Sequence, residues 1–242
     1  EKLRVRAESF ADHFTQARQF YRSQTEAEQA HIINAQVFEL SKCEMPHVRI
    51  RQMSQLRNID EDLARRVADG LGMDLPDAAP AAKPALDVAP SDALSILKNP
   101  NRSAAGRKLG ILVTDGADAS AVEALKSAAE AQGAAVMIVS PKVGGPKLAG
   151  GKRMAADAQL DGAPSVIFDA VAVVASEQGA ADLVRHKPAV DWLSDAFAHL
   201  KAIAHTSEAV PVLQKAGVEQ DDFVVPVSEA ATIVANLSER NW

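Results

Sequence analysis

The feature that most constrains this chain is a change of rhythm at residue 107. Lys108–Thr114 (KLGILVT) and Ala135–Ser140 (AVMIVS) are continuous apolar runs of strand length. A strand with one wet face alternates apolar and polar residues, so unbroken runs mark strands buried on both faces. Between them Ala119–Gln132 carries Val122, Leu125, Ala128 and Ala129 on one helical stripe, with Gly133 as its stop. The turn Asp161-Gly162-Ala163-Pro164 precedes a third strand within Val166–Ala175. Pro188 opens a helix to about Leu200, and a fourth strand is expected at Ala202–Ala204. A helix over Glu208–Ala216, a strand at Phe223–Val225 and a helix over Ser228–Leu237 complete the pattern.

Alternation of this kind predicts a parallel sheet covered by helices on both faces. The fold class is therefore α/β: a flavodoxin-like three-layer parallel sheet domain over residues 107–242, preceded by an all-α helical segment. That segment, residues 1–72, holds eleven Lys/Arg, eleven Asp/Glu and five of the ten aromatic residues, so the two parts have different cores. Thr25-Glu26-Ala27-Glu28 is a capping box. Ile32, Ile33, Val37, Phe38 and Leu40 then give a helical stripe to about residue 43. Pro46 suits the first position of a second helix. Asp60 can cap a third, with Leu63, Val67 and Leu71 on one face and Gly70 and Gly72 as stops. So few residues with so much charge make a thin core, and the segment reads as an appendage docked on another surface. Residues 73–106 form a Pro/Ala-rich linker, with Pro76, Pro80, Pro84, Pro90 and Pro100, expected to wrap a surface. A short helix at Ser91–Leu97, capped by Ser91, is the one element expected there.

Composition removes several classes of function. The 242 residues carry 26 Lys+Arg against 32 Asp+Glu, a net charge of -6, which argues against binding nucleic acid or an anionic membrane. No apolar run approaches the roughly 18–20 residues of a membrane span. The single cysteine, Cys43, excludes a disulfide framework and any multi-cysteine metal site, and a reducing, cytoplasmic location is expected. The chain opens at Glu1 without Met and reads as a segment of something longer.

In such a sheet ligands sit outside the carboxyl ends of the strands. Thr114-Asp115-Gly116-Ala117-Asp118 lacks G-x-G-x-x-G, and its carboxylates would repel a phosphate, so turn and cap residues are the favoured reading. The loop Val143–Arg153 is glycine-rich and basic, but Arg153 follows Lys152 where a phosphate loop needs a hydroxyl. It reads as a mobile hairpin or surface loop. The sharpest strand-to-helix turn is Ala202–Leu213, where Thr206 and Ser207 carry hydroxyls next to His205. Neighbouring side chains on a strand face opposite ways, so His205 is poorly placed to deprotonate Thr206, and Ser207 can simply cap the helix. Cys43 reads as structural, and His31 and His47 lack metal-ligand spacing.

Three stretches resemble the C-terminal helical region of monofunctional haem catalases. They are Phe14-Thr15-Gln16-Ala17-Arg18-Gln19-Phe20-Tyr21, the run from Glu28 through Ile32 with Phe38–Lys42, and Asn58-Ile59-Asp60-Glu61-Asp62-Leu63-Ala64-Arg65-Arg66-Val67-Ala68-Asp69-Gly70-Leu71-Gly72. The last is the most specific. A helical tail, a proline-bearing linker and a flavodoxin-like domain together are similar to the large-subunit catalases, over essentially the whole chain. Phe168–Val174 and the 202–213 turn also resemble the class I glutamine amidotransferase-like superfamily, which holds chaperones and cysteine hydrolases.

The first resemblance implies a parent that dismutates hydrogen peroxide with haem and assembles as a homotetramer. The haem residues of that family, a distal His and Asn and a proximal Tyr, belong to its barrel, and Tyr21 sits in no proximal motif. This segment is therefore expected to hold no cofactor or metal and to be non-catalytic. It would serve assembly, stability and substrate access, with the barrel and the other subunits as partners. The second resemblance places Thr206 and Ser207 at the hydrolase elbow, without the nucleophilic Cys, and Ala175 and Ser176 where that superfamily has paired glycines. It leaves two further readings: a chaperone-like domain over 107–242 binding unfolded client proteins, and a hydrolase using Thr206 or Ser207.

Overall fold

The computed structural model describes residues 2–242, within which two units are distinct, 2–99 and 100–241. Four helices build the first unit: α1 (Thr15–Ser23), α2 (Glu26–Ser41), α3 (Pro46–Ile59) and α4 (Glu61–Leu71). Their boundaries follow from local chemistry. The Thr25 hydroxyl accepts from the Glu28 amide at 3.2 Å while Glu28 accepts from the Thr25 amide at 2.8 Å, which completes the capping box of α2. Pro46 sits in the first turn of α3, and Asp60 caps α4 by accepting from the amides of Asp62 and Leu63. Gly72 ends α4 in the left-handed conformation. Gly70 is not a stop. It lies inside the helix, where a methyl group would meet Val37 at 2.7 Å. Met53, Leu56, Leu63, Ala64 and Val67 form the buried centre of this unit, together with Tyr21 and Ile33.

The proline-bearing stretch lies along these helices and is held by side chains. Arg18 donates to the carbonyls of Asn58, Ile59 and Ala85, Arg57 to Pro76 and Asn58 to Ala79. Arg22 pairs with Asp60 at 2.8 Å and with Asp87 at 2.6 Å. The helix expected at Ser91–Leu97 is instead a single 3-10 turn, Asp92–Leu94, and the Ser91 side chain caps nothing. Asp92 then binds Lys98 and, through its carbonyl, Asn99.

In the second unit the described residues form one six-stranded, wholly parallel sheet. Its strands are β1 (Lys108–Val113), β2 (Ala135–Ser140), β3 (Ala158–Gln159), β4 (Ala170–Val174), β5 (Ile203–His205) and β6 (Val224–Pro226), in the order β3-β2-β1-β4-β5-β6. Without the two-residue edge strand β3 this is the flavodoxin order. Alternate residues of each strand serve opposite layers. Leu109, Ile111 and Val113 of β1 pack with Val122 and Leu125 of α5 (Ala119–Ala131) and Ile233 of α9 (Ala230–Ala235). Leu112, Val171 and Val173 face Leu183 of α6 (Glu177–Arg185), Trp192 and Leu193 of α7 (Lys187–Ala198) and Val212 of α8 (Val210–Lys215).

Two details depart from the sequence reading. Helix α6 was not anticipated, although Ser176 caps it at Gly179 and Ala180 and Leu183 supply its buried stripe. The third strand does fall within Val166–Ala175, as β4, and before it Ser165–Ile167 form a 3-10 turn, which seats the Phe168 ring over Gly110 of β1 and edge-on to Trp192, with centroids 6.0 Å apart. A methyl at Gly110 would lie 2.7 Å from that ring, so this strand position requires glycine. The expected helices Glu208–Ala216 and Ser228–Leu237 are shorter, each with a 3-10 turn at its start.

Lys201 is the unexpected buried charge of this unit, 6% exposed, with Nζ donating to the carbonyls of Ser165 at 2.7 Å and Phe168 at 2.8 Å. It fastens the 3-10 turn beneath β4. Burial, reinforced by the nearby Arg240, lowers its pKa from 10.5 to about 8. Between these values the unfolded chain binds the proton and the folded chain does not, so stability rises with pH from about 8 to about 10.5. The strain relieved is on the order of 3 kcal/mol. Chemical denaturation of the wild type and Lys201→Met at pH 7, 8, 9 and 10 tests this: the rise is expected in the wild type and absent from the variant.

Candidate functional site

A doubly wound sheet presents its functional rim where the strand order reverses, outside the carboxyl ends of the two strands that flank the reversal. Here those strands are β1 and β4. Their ends are tied together by polar contacts. The Ser176 amide donates to the Thr114 hydroxyl at 3.2 Å, and the Ser176 hydroxyl donates to the Asp115 carbonyl at 2.6 Å. The same hydroxyl accepts from the Gly179 amide at 3.1 Å as the cap of α6. Gly179 lets the helix close on β1, since a methyl there would lie 2.0 Å from the Thr114 hydroxyl oxygen.

Beside this knot opens a cleft of about 430 Å³, lined by Thr114, Ser140, Lys142, Ser176, Leu183 and His186 among others. The Asp115 carboxylate at its edge is not a free charge. Lys142 binds one oxygen and the Lys147 amide donates to the other at 2.9 Å. The Lys142 ammonium, then that amide, hold the Asp115 carboxyl below its ordinary pKa. The repulsion expected of Asp115 toward an anion is thus largely cancelled locally. Asp118 caps α5 through the Ser120 amide at 3.0 Å.

The glycine-rich loop 143–153 is a hairpin closed by a bridge between Lys147 and Arg153. It is fastened rather than loose. Lys147 accepts from the Gly116 amide at 2.8 Å, Ala149 donates to Ala117 at 2.9 Å, and Leu148 is buried.

The 202–213 turn is separate from this cleft. The Thr206 hydroxyl donates to the Ala175 carbonyl and accepts from the Ala175 amide, both at 3.2 Å, and so clasps the ends of β4 and β5. Ser207 is exposed and its hydroxyl donates to Glu208 at 3.1 Å; it caps no helix. The buried His205 ring reaches the Thr206 carbonyl through Nδ1 at 3.0 Å and Gln220 through Nε2 at 3.5 Å. The Thr206 carbonyl can only accept, so Nδ1 is the donor of that contact. The imidazole contacts neither hydroxyl: Thr206 has only the Ala175 backbone beside it, and Ser207 has the exposed Glu208 carboxylate but no imidazole, so the turn lacks a nucleophile–histidine pair.

Elsewhere, Cys43 is half-buried against the helical core, with Sγ 3.9 Å from the Glu39 carbonyl. No group of three or more His, Cys, Asp or Glu among the described residues could hold a metal ion. The contributions of Ser140, Lys142 and His186 were missed by sequence reasoning. Ser176 followed at helical spacing by Ala180 and Leu183 was the available signal for the wall they share.

The sheet order and the closed rim define a flavodoxin-like α/β domain. Residues 105–240 match the family model described as the C-terminal domain found in long catalases, and residues 7–71 match that of catalase-related immune-responsive sequences. The chain belongs to this family of long-catalase C-terminal domains. It is 48% identical to Catalase C of Rhizobium meliloti over 98% of its own length and 34% of that protein. It is 37% identical to Catalase HPII of Pseudomonas aeruginosa over 98% of its length and 33% of that protein. With Catalase HPII of Pseudomonas putida it shares 39% identity over 86% of its length and 29% of that protein. The chain thus spans about a third of the length of these curated relatives.

Substituting Gly179→Ala tests the closure of α6 on β1. Helix propensity alone favours alanine by roughly 1 kcal/mol. The 2.0 Å approach to Thr114 outweighs that, because the Thr114 hydroxyl is fixed by the Ser176 amide. A net loss of about 1–3 kcal/mol is expected in urea denaturation.

Proposed function

We propose that this chain is the C-terminal part of a long haem catalase, whose parent converts two molecules of hydrogen peroxide to two of water and one of oxygen. This part is itself non-catalytic and serves assembly, stability and access of peroxide to the haem. The observation that carries the proposal is the alignment of 98% of the chain, at 48% identity, with about a third of Catalase C of Rhizobium meliloti.

The chemistry of the residues present agrees with that division of labour. Tyr21, the only tyrosine, is buried in the helical unit, and burial raises its pKa. An axial tyrosinate needs the opposite shift. Tyr21 is therefore poorly suited to ligate a haem iron, which supports placing the haem site in the parent's barrel.

The distribution of exposed apolar side chains supports docking by the helical unit. Of the sixteen large apolar residues exposed among the described ones, twelve fall within residues 2–99, Phe10, Phe20, Phe38, Met45, Val48 and Ile50 among them. Such a density marks a covered surface in the working protein. The barrel of the parent and its neighbouring subunits, in a homotetramer, are the occupants this reading assigns, with the whole assembly in the cytoplasm. In the α/β unit only Val143, Val166 and Ile167 of that set are exposed, which gives little apolar surface for unfolded client proteins.

Haem reconstitution of the 242-residue chain followed by a peroxide assay tests the division of labour. No turnover above free haem is expected, and catalase turnover by the chain alone would overturn it.

A further inference from the structure

We infer that the segment joining the two units is a processing site for a protease of trypsin-like specificity, which cuts the Arg102–Ser103 bond and leaves the α/β unit whole. The inference is independent of the catalase assignment and of the 202–213 turn.

The cores come first. The apolar cluster of the helical unit draws on residues 21–75, and those of the α/β unit on residues 104–237. A cut after residue 102 therefore takes no member from any of them. All six strands stay on one side of it, since β1 begins at Lys108. The backbone around the bond is also open. Among the described residues, no backbone–backbone hydrogen bond ties residues 100–103 to another segment. Asn101, Arg102 and Ser103 are exposed. Exposed connections of this kind, with little backbone bonding, are where proteolytic nicking concentrates.

Charge decides which bond is taken. The specificity pocket of a trypsin-like enzyme carries a carboxylate and accepts Arg or Lys. The Arg102 side chain is 79% exposed, and its ion partner, Glu239, stands 4.0 Å away. An exposed pair at that distance holds the guanidinium weakly. The other basic residues nearby are guarded. Lys98 is held by Asp92, and the amide of the bond after it donates to the Ser95 carbonyl at 3.0 Å. Lys83 is followed by Pro84, whose ring removes the N–H and fixes the backbone. Arg107 pairs with Asp169 at 3.1 Å, and the next amide, that of Lys108, donates to the same carboxylate at 2.8 Å. Lys147, Lys152 and Arg153 lie in the backbone-bonded hairpin. The Ser103 amide, by contrast, has only the Asn101 side chain, two residues away, at 3.2 Å. Hydrolysis adds one water across this peptide bond, leaving a carboxylate on Arg102 and an amino group on Ser103.

The test is brief digestion of the native 242-residue chain with dilute trypsin, followed over time by intact mass. A fragment beginning at Ser103 is expected at least about tenfold faster than any cut within residues 107–239, and it is expected to persist. Cuts after the exposed Lys2, Arg4 or Arg6 trim only the first residues and are separated by mass. Arg102→Gln, which removes the charge, and Ser103→Pro, which keeps it and blocks the bond, are each expected to slow cutting within residues 98–107 at least about tenfold. Both positions are exposed and outside the cores, so neither change disturbs folding. A first cut inside residues 107–239 would overturn the inference, as would rapid loss of the Ser103 fragment. Equally fast cutting after Lys98 in the two variants would overturn it as well.

Discussion

The rim of the α/β unit depends on one close contact, Gly179 of α6 against Thr114 at the end of β1. A side chain of any size at residue 179 would hold the helix away from the strand. With hydrogen there, Ser176 can cap the helix, accept the Gly179 amide and reach back to Asp115 in a single turn. The Thr114 hydroxyl, already accepting from Ser176, has no freedom to swing aside. The position of α6 then decides where Leu183 and His186 stand. The cleft at the switch point is thus a by-product of helix closure as much as a feature of the sheet.

A second hub organises the helical unit. Asp60 ends α3, caps α4 through two amides and receives Arg22, whose other arm holds Asp87 of the proline-bearing stretch. One carboxylate therefore joins three helices and the segment that leaves them. Exposed apolar residues such as Phe10, Phe20, Met45, Val48 and Ile50 lie outside the unit's buried cluster. They remain exposed in a unit whose own core is already complete, which makes them material for an outside surface.

Sequence reasoning succeeded where the cause is local. The capping box at Thr25 and Glu28, Pro46 in the first turn and Asp60 as a cap each act within one turn of helix. Strands β1 and β2 were legible because burial on both faces leaves a continuous apolar run. It failed where the cause is tertiary. The two-residue strand β3 exists through pairing with Val139 and Ser140 and has no pattern of its own. The start of β4 is not legible either: Val166–Phe168 has strand-forming side chains, but Lys201, distant in sequence, holds the carbonyls of this segment in a turn. Ser176 was weighed only as a replacement for glycine, which hid its service as a cap and with it the helix. For the candidate site, the end of β1 reads in sequence as turn and cap residues, and Asp118 is such a cap, but the pairing of Asp115 is not visible there. The partners of Asp115 come from the 141–147 segment, whose approach to β1 only the folded sheet creates.

The proline-bearing stretch carries a different lesson. Arg18, Arg57 and Asn58 fasten it by grasping carbonyl oxygens, those of Ala85, Pro76 and Ala79. Every residue type offers that same oxygen, so the grip does not read the identities of the residues it holds. Apart from Asp87, which pairs with Arg22, such a strap is free over evolutionary time to drift in sequence while keeping its path and its length. The information that fixes its route is written in the helices beneath it.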